Sequence, residues 1–233
     1  MTQADAFHLE VCVDTVTDAL AVVAAGATRI EMNSALELDG LTPPVASCQW
    51  LKEHCQVPIV AMLRPQHRSF VYSSSEELTL LRDGLLLLEA GVDGLVFGSL
   101  DDQRRLNLPL LHKVLALCGG RDVIFHRAFD LLEDQLRGLE QLIECGVRRV
   151  LTSGGAATAQ AGLERLQRLH ELAAGRIEIL PAAGVNSGNA VQILRQIGCR
   201  QVHGSFRGSD PAARGPDLDE IRRTRHLIES HSR

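Results

Sequence analysis

Ionisable side chains and a thiol alternate with apolar residues in two short segments near the start of the chain. The segment HLEVCV carries Glu10 and Cys12, and the segment RIEMN carries Glu31 and Asn33. Because alternate residues of a β-strand share one face, we expect each pair to point away from the apolar face that helices would cover. Two buried carboxylates repel each other, which raises the pKa of one of them unless a cation compensates. Arg64, at the end of a third apolar segment, is the cation that we expect beside them.

This group of side chains has two interpretations. It is either an ion network that fills one end of the fold, or an acid/base pair beside an arginine that binds an anionic substrate. The second interpretation is favoured because charged residues are rarely buried for packing alone. His126 and Asp130 lie at and just after the end of a later strand-like segment, and they would lie at the same end of the fold. The candidate catalytic residues are therefore Glu10, Glu31, Arg64, His126 and Asp130.

Eight strand-like segments supply the framework that must position these side chains. They cover residues 8–13, 29–33, 58–64, 94–98, 122–127, 149–154, 177–182 and 201–205. Segments with helical apolar spacing lie between them, and the strand starts are separated by roughly 20–35 residues, the length of one βα unit. This alternation predicts an α/β protein, a (β/α)8 TIM barrel that forms a single domain over residues 1–233. An open doubly wound sheet is the alternative, and a loop and a C-terminal helix would occupy residues 207–233.

The two last βα loops are the predicted anion site. In a TIM barrel the chemistry lies at the C-terminal ends of the strands, and the loops after strands seven and eight commonly bind phosphate. Here these loops contain AAGVNSGN and HGS, and a helix beginning near Asn189 would present backbone amides to a ligand. The candidate anion-binding residues are Gly184, Val185, Gly204 and Ser205. The other interpretation is that the glycines only close tight turns.

The overall composition excludes several classes of partner. The net charge is -5 and only 3% of the residues are aromatic, which argues against nucleic acid and against an anionic membrane surface. The six cysteines are widely spaced and form no C-x-x-C motif, so no zinc or redox motif is present. With neither a secretory signal nor a long apolar segment in view, we expect a cytoplasmic protein with a small anionic ligand.

Several segments carry a resemblance to a known family. The chain resembles the CutC family, named for copper homeostasis, from about Leu9 to Ser205, in the segments LEVCVDT, GATRIEMNSALELDGLTP, PIVAMLRP, VIFHRAFD, RVLTSGG and QVHGS. This resemblance implies a cytoplasmic TIM-barrel protein that takes part in copper homeostasis and binds copper ions. It assigns no enzymatic activity, so whether the chain is an enzyme stays open.

The resemblance also implies a metal site. The proposed copper-binding thiols of the family correspond to Cys12 and to the position of Asn33 in this sequence. Cys12 is therefore the candidate metal ligand, with Cu(I) as the candidate cofactor. Cu(I) prefers soft ligands and two are normally wanted, so Met32, Met62 or a histidine would have to supply the second.

Two other functions remain open alternatives. One is an uncharacterised lyase, isomerase or hydrolase that acts on a small phosphorylated or carboxylated metabolite. The other is a scaffold that forms a homo-oligomer through the exterior of the barrel.

Overall fold

Eight short parallel strands form the interior of the molecule, and a helix follows each of them. The computed structural model describes residues 7–208 and 215–231. The strands are β1 (His8–Val13), β2 (Arg29–Met32), β3 (Ile59–Met62), β4 (Gly94–Phe97), β5 (Asp122–Phe125), β6 (Arg149–Thr152), β7 (Glu178–Pro181) and β8 (Gln201–Gly204). The helices are α1 (Val16–Ala24), α2 (Val45–His54), α3 (Ser74–Glu89), α4 (Leu108–Cys118), α5 (Gln135–Cys145), α6 (Leu163–Ala173), α7 (Ala190–Ile197) and α8 (Leu218–His231).

The strands lie side by side in the order β7-β6-β5-β4-β3-β2-β1-β8, and every ladder is parallel. The two outer strands of this order, β7 and β8, meet to close the barrel. The Gln201 side-chain amide of β8 donates to the carbonyl of Ile179 in β7 at 3.4 Å. This architecture confirms the predicted (β/α)8 barrel and excludes the open sheet. The chain-terminal loop predicted over 207–216 lies partly outside the described residues, since 209–214 are not described.

Local sequence signals explain where several helices begin and end. Thr15 precedes α1 in an extended conformation, and its hydroxyl accepts the backbone amide of Asp18. Ser73 and Glu76 form a capping box at the start of α3. Gly146 and Gly198 end α5 and α7 in the left-handed conformation that glycine adopts without a steric penalty. Among the described residues, no helix is both long and apolar enough to cross a membrane.

The inward faces of the strands divide the barrel interior into two parts. The apolar half comes from β3 to β7 and contains Val60, Met62, Val96, Ile124, Leu151, Leu180 and Ala182. At the start of these strands, the buried Arg149 of β6 forms ion pairs with Asp122 of β5 and Glu178 of β7. The polar half comes from β8, β1 and β2 and consists of Glu10, Cys12, Arg29, Glu31, Asn33, Gln201 and His203, all of them buried. The opposite faces of the strands pack against the helices and form the larger hydrophobic core. The alternation read in the sequence therefore predicted the inward side chains correctly.

Candidate functional site

A cavity of about 820 Å³ lies at the C-terminal ends of the strands. Its walls include nearly all the predicted site residues: Cys12, Glu31, Arg64, His126, Asp130, Gly184, Val185, Gly204 and Ser205. Glu10 is the exception among them, because it is 1% exposed and is not part of the cavity wall. The predicted site residues therefore lie together at the C-terminal end of the barrel.

Glu10 is compensated by Arg29 and His203. The Arg29 guanidinium donates through Nε to Glu10 in a buried ion pair, and its Nη2 donates to Gln201 at 2.9 Å. The other Glu10 oxygen lies 2.7 Å from Nδ1 of His203. Arg29 faces Glu10 because the two residues are paired in the register of β1 and β2. We did not predict Arg29 as a site residue, although its position two residues before Glu31 placed it on the same face.

The prediction that Arg64 compensates the two carboxylates is wrong. Its Nη1 donates to the carbonyls of residues 38–40, each at 3.2 Å, and its Nη2 donates to the carbonyl of His67 at 3.0 Å. Arg64 follows β3, and these bonds hold it in the loop before α2 rather than beside β1. Within the described residues, no salt bridge includes Arg64. Burial lowers the pKa of its guanidinium from the ordinary value.

Cys12, Glu31 and His203 form a compact group in the polar half. Their sulfur, oxygen and nitrogen ligand atoms all lie within 4.8 Å of one another, and all three residues are buried. Asn33 fixes the Glu31 side chain, since its amide donates to Oε1 at 3.0 Å and to the Glu31 carbonyl at 3.1 Å. The second oxygen, Oε2 of Glu31, is buried and has no hydrogen-bond partner. We name Cys12, Glu31 and His203 the thiol–histidine cluster.

The carboxylates of the polar half have opposite pKa shifts. Burial raises the pKa of Glu31, and the nearby charge of Glu10 raises it further. Burial would also raise the pKa of Glu10, but Arg29 and the hydrogen bond from His203 hold it well below its usual range. Burial alone would lower the pKa of His203, but the Cys12 sulfur and the two carboxylates raise it well above its ordinary value. In the polar half, Arg29 and His203 therefore stabilise the ionised form of Glu10, whereas burial disfavours the ionised form of Glu31.

Asp130 has a full set of partners. Its carboxylate accepts the amide and hydroxyl of Ser153, the hydroxyl of Thr152 and the amide of Gly155, and it pairs with Arg127 at 2.9 Å. These bonds fix the loop that follows β6. The carboxylate has little capacity left for a proton transfer, so its geometry is that of a structural residue at the cavity wall.

The loops after β7 and β8 contribute four predicted anion-binding residues to the wall, as given above. At the start of α7, however, the amide and hydroxyl of Ser187 donate to the carboxylate of Glu220 from α8, at 2.5 and 3.1 Å. Glu220 thus places a carboxylate beside the start of α7, where the sequence analysis predicts that an anionic ligand binds. Binding of an anion by Gly184, Val185, Gly204 and Ser205 stays a prediction.

The fold and the cluster define a class: a (β/α)8-barrel protein with a candidate metal centre at the strand ends. Comparison with known proteins shows the family to which the chain belongs. The family model for the CutC family matches residues 7–208, and the chain belongs to the CutC family.

Individual relatives agree with this assignment. A family protein CutC from Treponema denticola is 40% identical over 195 residues, which are 84% of this chain and 79% of that protein. The copper homeostasis protein cutC homolog of Homo sapiens is 39% identical over 206 residues, 88% of this chain and 76% of that protein.

Solved structures support the fold. The putative copper homeostasis protein CutC from Streptococcus agalactiae superimposes with a TM-score of 0.82 at 27% identity, covering 85% of this chain and 98% of that one. The 3-hexulose-6-phosphate synthase from Salmonella typhimurium has a TM-score of 0.67 at 15% identity, covering 96% and 99%, and shows the shared barrel alone.

Proposed function

We propose that this protein binds copper as Cu(I) at the thiol–histidine cluster and takes part in copper homeostasis. The observation that carries the proposal is the convergence of three ligand atoms within 4.8 Å at the wall of a cavity. The copper homeostasis proteins among its relatives, named above, support the same role. A cytoplasmic location goes with it, because all six cysteines are free, as is typical of a reducing compartment.

The donor set suits Cu(I). A cysteine sulfur is a soft ligand and an imidazole nitrogen also serves copper, so Cys12 and His203 provide two ligands. The Met62 thioether lines the same cavity and is a second soft group beside the Cys12 sulfur. In this proposal the second ligand is His203 of β8, the strand beside β1 in the barrel, in place of the residue at position 33.

The surroundings of His203 also suit a metal ligand. Glu10 lies on Nδ1, which leaves Nε2 for the ion. A carboxylate on the far nitrogen of a ligating histidine fixes the ring orientation and increases its basicity. The unpartnered Oε2 of Glu31 supplies a buried oxygen at the same place. Sulfur, nitrogen and oxygen together also suit Zn²⁺, so a test must compare both ions.

The test is an anaerobic competition for Cu(I) against a chromogenic chelator. We expect the wild type to remove Cu(I) from the chelator and Cys12→Ala to lose this ability. The matched control is Cys118→Ala, which removes another buried thiol, from α4, and should leave competition unchanged. Equal competition by wild type and Cys12→Ala would contradict the proposal. Zn²⁺ titrated in the same way should bind more weakly than Cu(I).

A gain of function sharpens this test. Asn33 lies against the cluster, so Asn33→Cys adds a second thiol beside Cys12 and should tighten Cu(I) binding by at least about tenfold. The side chain at position 33 must fit next to Gly40, where even a Cβ atom would lie 2.4 Å from the Asn33 oxygen. Cysteine is no larger than asparagine, so the fold should accept it. An unchanged affinity would place the copper site elsewhere.

A further inference from the structure

Arg64 is a buried cation that forms no salt bridge with the described residues. It is 5% exposed, and its hydrogen bonds go to backbone carbonyls only. Its Nε is buried and has no acceptor. The other two arginines of the cavity wall differ, since Arg127 pairs with Asp130 and Arg207 with Asp14. Within the described part of the wall, Arg64 is thus the cation left for a ligand.

His126 is a second unpartnered donor on the same wall. It is 4% exposed, and Nδ1 accepts the backbone amide of Ala128 at 3.1 Å, so the ring proton lies on Nε2. That atom is buried without an acceptor. Burial and the nearby Arg64 lower the pKa of His126 to about 3, which keeps the ring neutral and its Nε2 a hydrogen-bond donor. The glycine at position 98 leaves room for the ring, because a Cβ there would lie 2.4 Å from it.

The Phe70 ring covers both donors. Its centroid lies 4.7 Å from the Arg64 guanidinium carbon and 4.9 Å from the His126 ring centroid. The Phe70 backbone is fixed, since its carbonyl accepts the Leu100 amide and the Ser99 hydroxyl. The side chain itself is half-buried and lines the cavity. Rotation of this one side chain would expose both donors to the cavity.

The charges of the wall select the kind of anion. One positive charge without a salt bridge and two unpartnered N–H donors match a group with one negative charge and two acceptor oxygens, which is a carboxylate. A phosphate dianion would bring a second negative charge close to acidic residues that line the same cavity: Asp39, Asp130, Asp217 and Glu220.

We propose that the cavity binds a small organic carboxylate, whose two oxygens accept hydrogen bonds from Nε of Arg64 and Nε2 of His126 when the Phe70 side chain turns away. This carboxylate subsite lies on the β3 and β5 side of the cavity and uses no residue of the thiol–histidine cluster. It adds an organic ligand to the copper role and does not depend on it. A buried cation and a buried donor that lack partners in the ligand-free chain both find them in the bound state.

The experiment measures binding calorimetrically and by thermal shift, in a buffer without carboxylates. The probes are acetate, propionate and pyruvate, with propionamide as the uncharged analogue and inorganic phosphate as the competing anion. We expect at least one carboxylate to bind and to raise the melting temperature, and the amide and phosphate to have no effect. If no carboxylate binds to the wild type or to Phe70→Ala, or if phosphate binds equally well, the proposal is overturned.

Variants locate the binding. Phe70→Ala uncovers the donors and should tighten binding by at least about threefold, whereas Arg64→Lys, which keeps the charge but lacks Nε, should weaken it by at least about tenfold. His126→Asn keeps an acceptor for the Ala128 amide but loses the Nε2 donor, so it should also weaken binding, and it replaces Arg64→Lys if that variant fails to fold. The matched control is Leu131→Ala, an exposed cavity residue that should change nothing.

Cys12→Ala separates this proposal from the copper proposal. It should bind the carboxylate like the wild type while losing Cu(I). The carboxylate binds elsewhere if Leu131→Ala tightens its binding as much as Phe70→Ala does. The same conclusion follows if His126→Asn leaves the affinity for the carboxylate unchanged.

Discussion

The polar and apolar halves of the barrel each hold one buried histidine at the same cavity, and the pKa values of the two histidines are shifted in opposite directions. His203, in the polar half, has its pKa raised because Cys12 and two carboxylates surround it. His126, at the end of β5 in the apolar half, has its pKa lowered to about 3 by burial and by Arg64. Both are almost fully buried, at 7% and 4% exposure. Burial alone therefore does not set the direction of a histidine's pKa shift here, because the charged groups beside the ring also contribute.

The same contrast applies to how the halves are stabilised. In the polar half, removal of one member of an ion pair leaves another buried charge without compensation. At the aliphatic side chains of the apolar half, the loss from a substitution is limited to the volume and contacts of the atoms removed. We therefore expect larger effects from changes in the polar half.

The largest expected effect comes from Arg29→Met. This variant keeps most of the side-chain volume but leaves the Glu10 carboxylate, which is 1% exposed, with His203 as its remaining partner. We expect the free energy of unfolding to fall by about 3–5 kcal/mol, measured by urea denaturation. Adding Glu10→Gln to it should recover part of the loss, since no buried charge is then left unpaired. A loss below about 1 kcal/mol from Arg29→Met alone would show that the two halves do not differ in this way.

The next effect is spread over several pH units and concerns the pH dependence of stability. The pKa of His126 is about 3 in the folded protein and near the ordinary value of 6.5 when unfolded, so the unfolded chain binds more protons between these values. Stability from neutral His126 is therefore present above about pH 6.5 and is lost as the pH falls toward 3, by up to about 1.4 kcal/mol per pH unit.

His126→Asn removes this proton uptake and keeps the Ala128 amide bonded. Its free energy of unfolding should consequently fall less steeply than that of the wild type between pH 6.5 and 4, as measured by urea denaturation at a series of pH values. Parallel pH profiles for the two proteins would show that His126 is charged in the folded state, and the contrast with His203 would disappear.

The sequence predicts correctly those features that depend on residues close together in the chain. Alternation along one strand is a property of neighbouring residues, so it is enough to turn Glu10, Cys12 and Glu31 inward. The regular spacing of the eight strand-like segments is what predicts the barrel. The same alternation turns Arg29 inward, since it opens the predicted segment 29–33, but alternation does not show that Glu10 of the neighbouring strand is its partner.

The partners of these side chains could not be predicted in the same way. His203 meets Glu10 across 193 residues of chain, and the contact exists because β8 lies beside β1 once the barrel closes. Arg64 was paired with the carboxylates on the basis of a shared barrel end. Its actual partners are carbonyls of a loop whose path depends on left-handed residues at Ala35 and Asp39, which the sequence does not mark.

The smallest expected effects come from two conservative substitutions, one in each half. Ile124→Val removes one methylene group from a side chain with no exposure in the apolar half. The free energy of unfolding should fall by about 0.5–1.5 kcal/mol, and the affinities for Cu(I) and for the carboxylate should stay unchanged. Glu31→Gln is its counterpart, because it is nearly isosteric and removes a charge from the polar half.

For Glu31→Gln we expect the reverse pattern. The raised pKa of Glu31 means that burial and the charge of Glu10 disfavour its ionised form, so the neutral amide should fold at least as stably as the wild type. It should nevertheless weaken metal binding, because a carboxylate oxygen of the thiol–histidine cluster is lost. Urea denaturation and the Cu(I) competition, performed on both variants, separate the two quantities. If Glu31→Gln destabilises the fold as Ile124→Val does and leaves the metal affinity intact, Glu31 is a structural residue, and the polar half is built for stability rather than for binding.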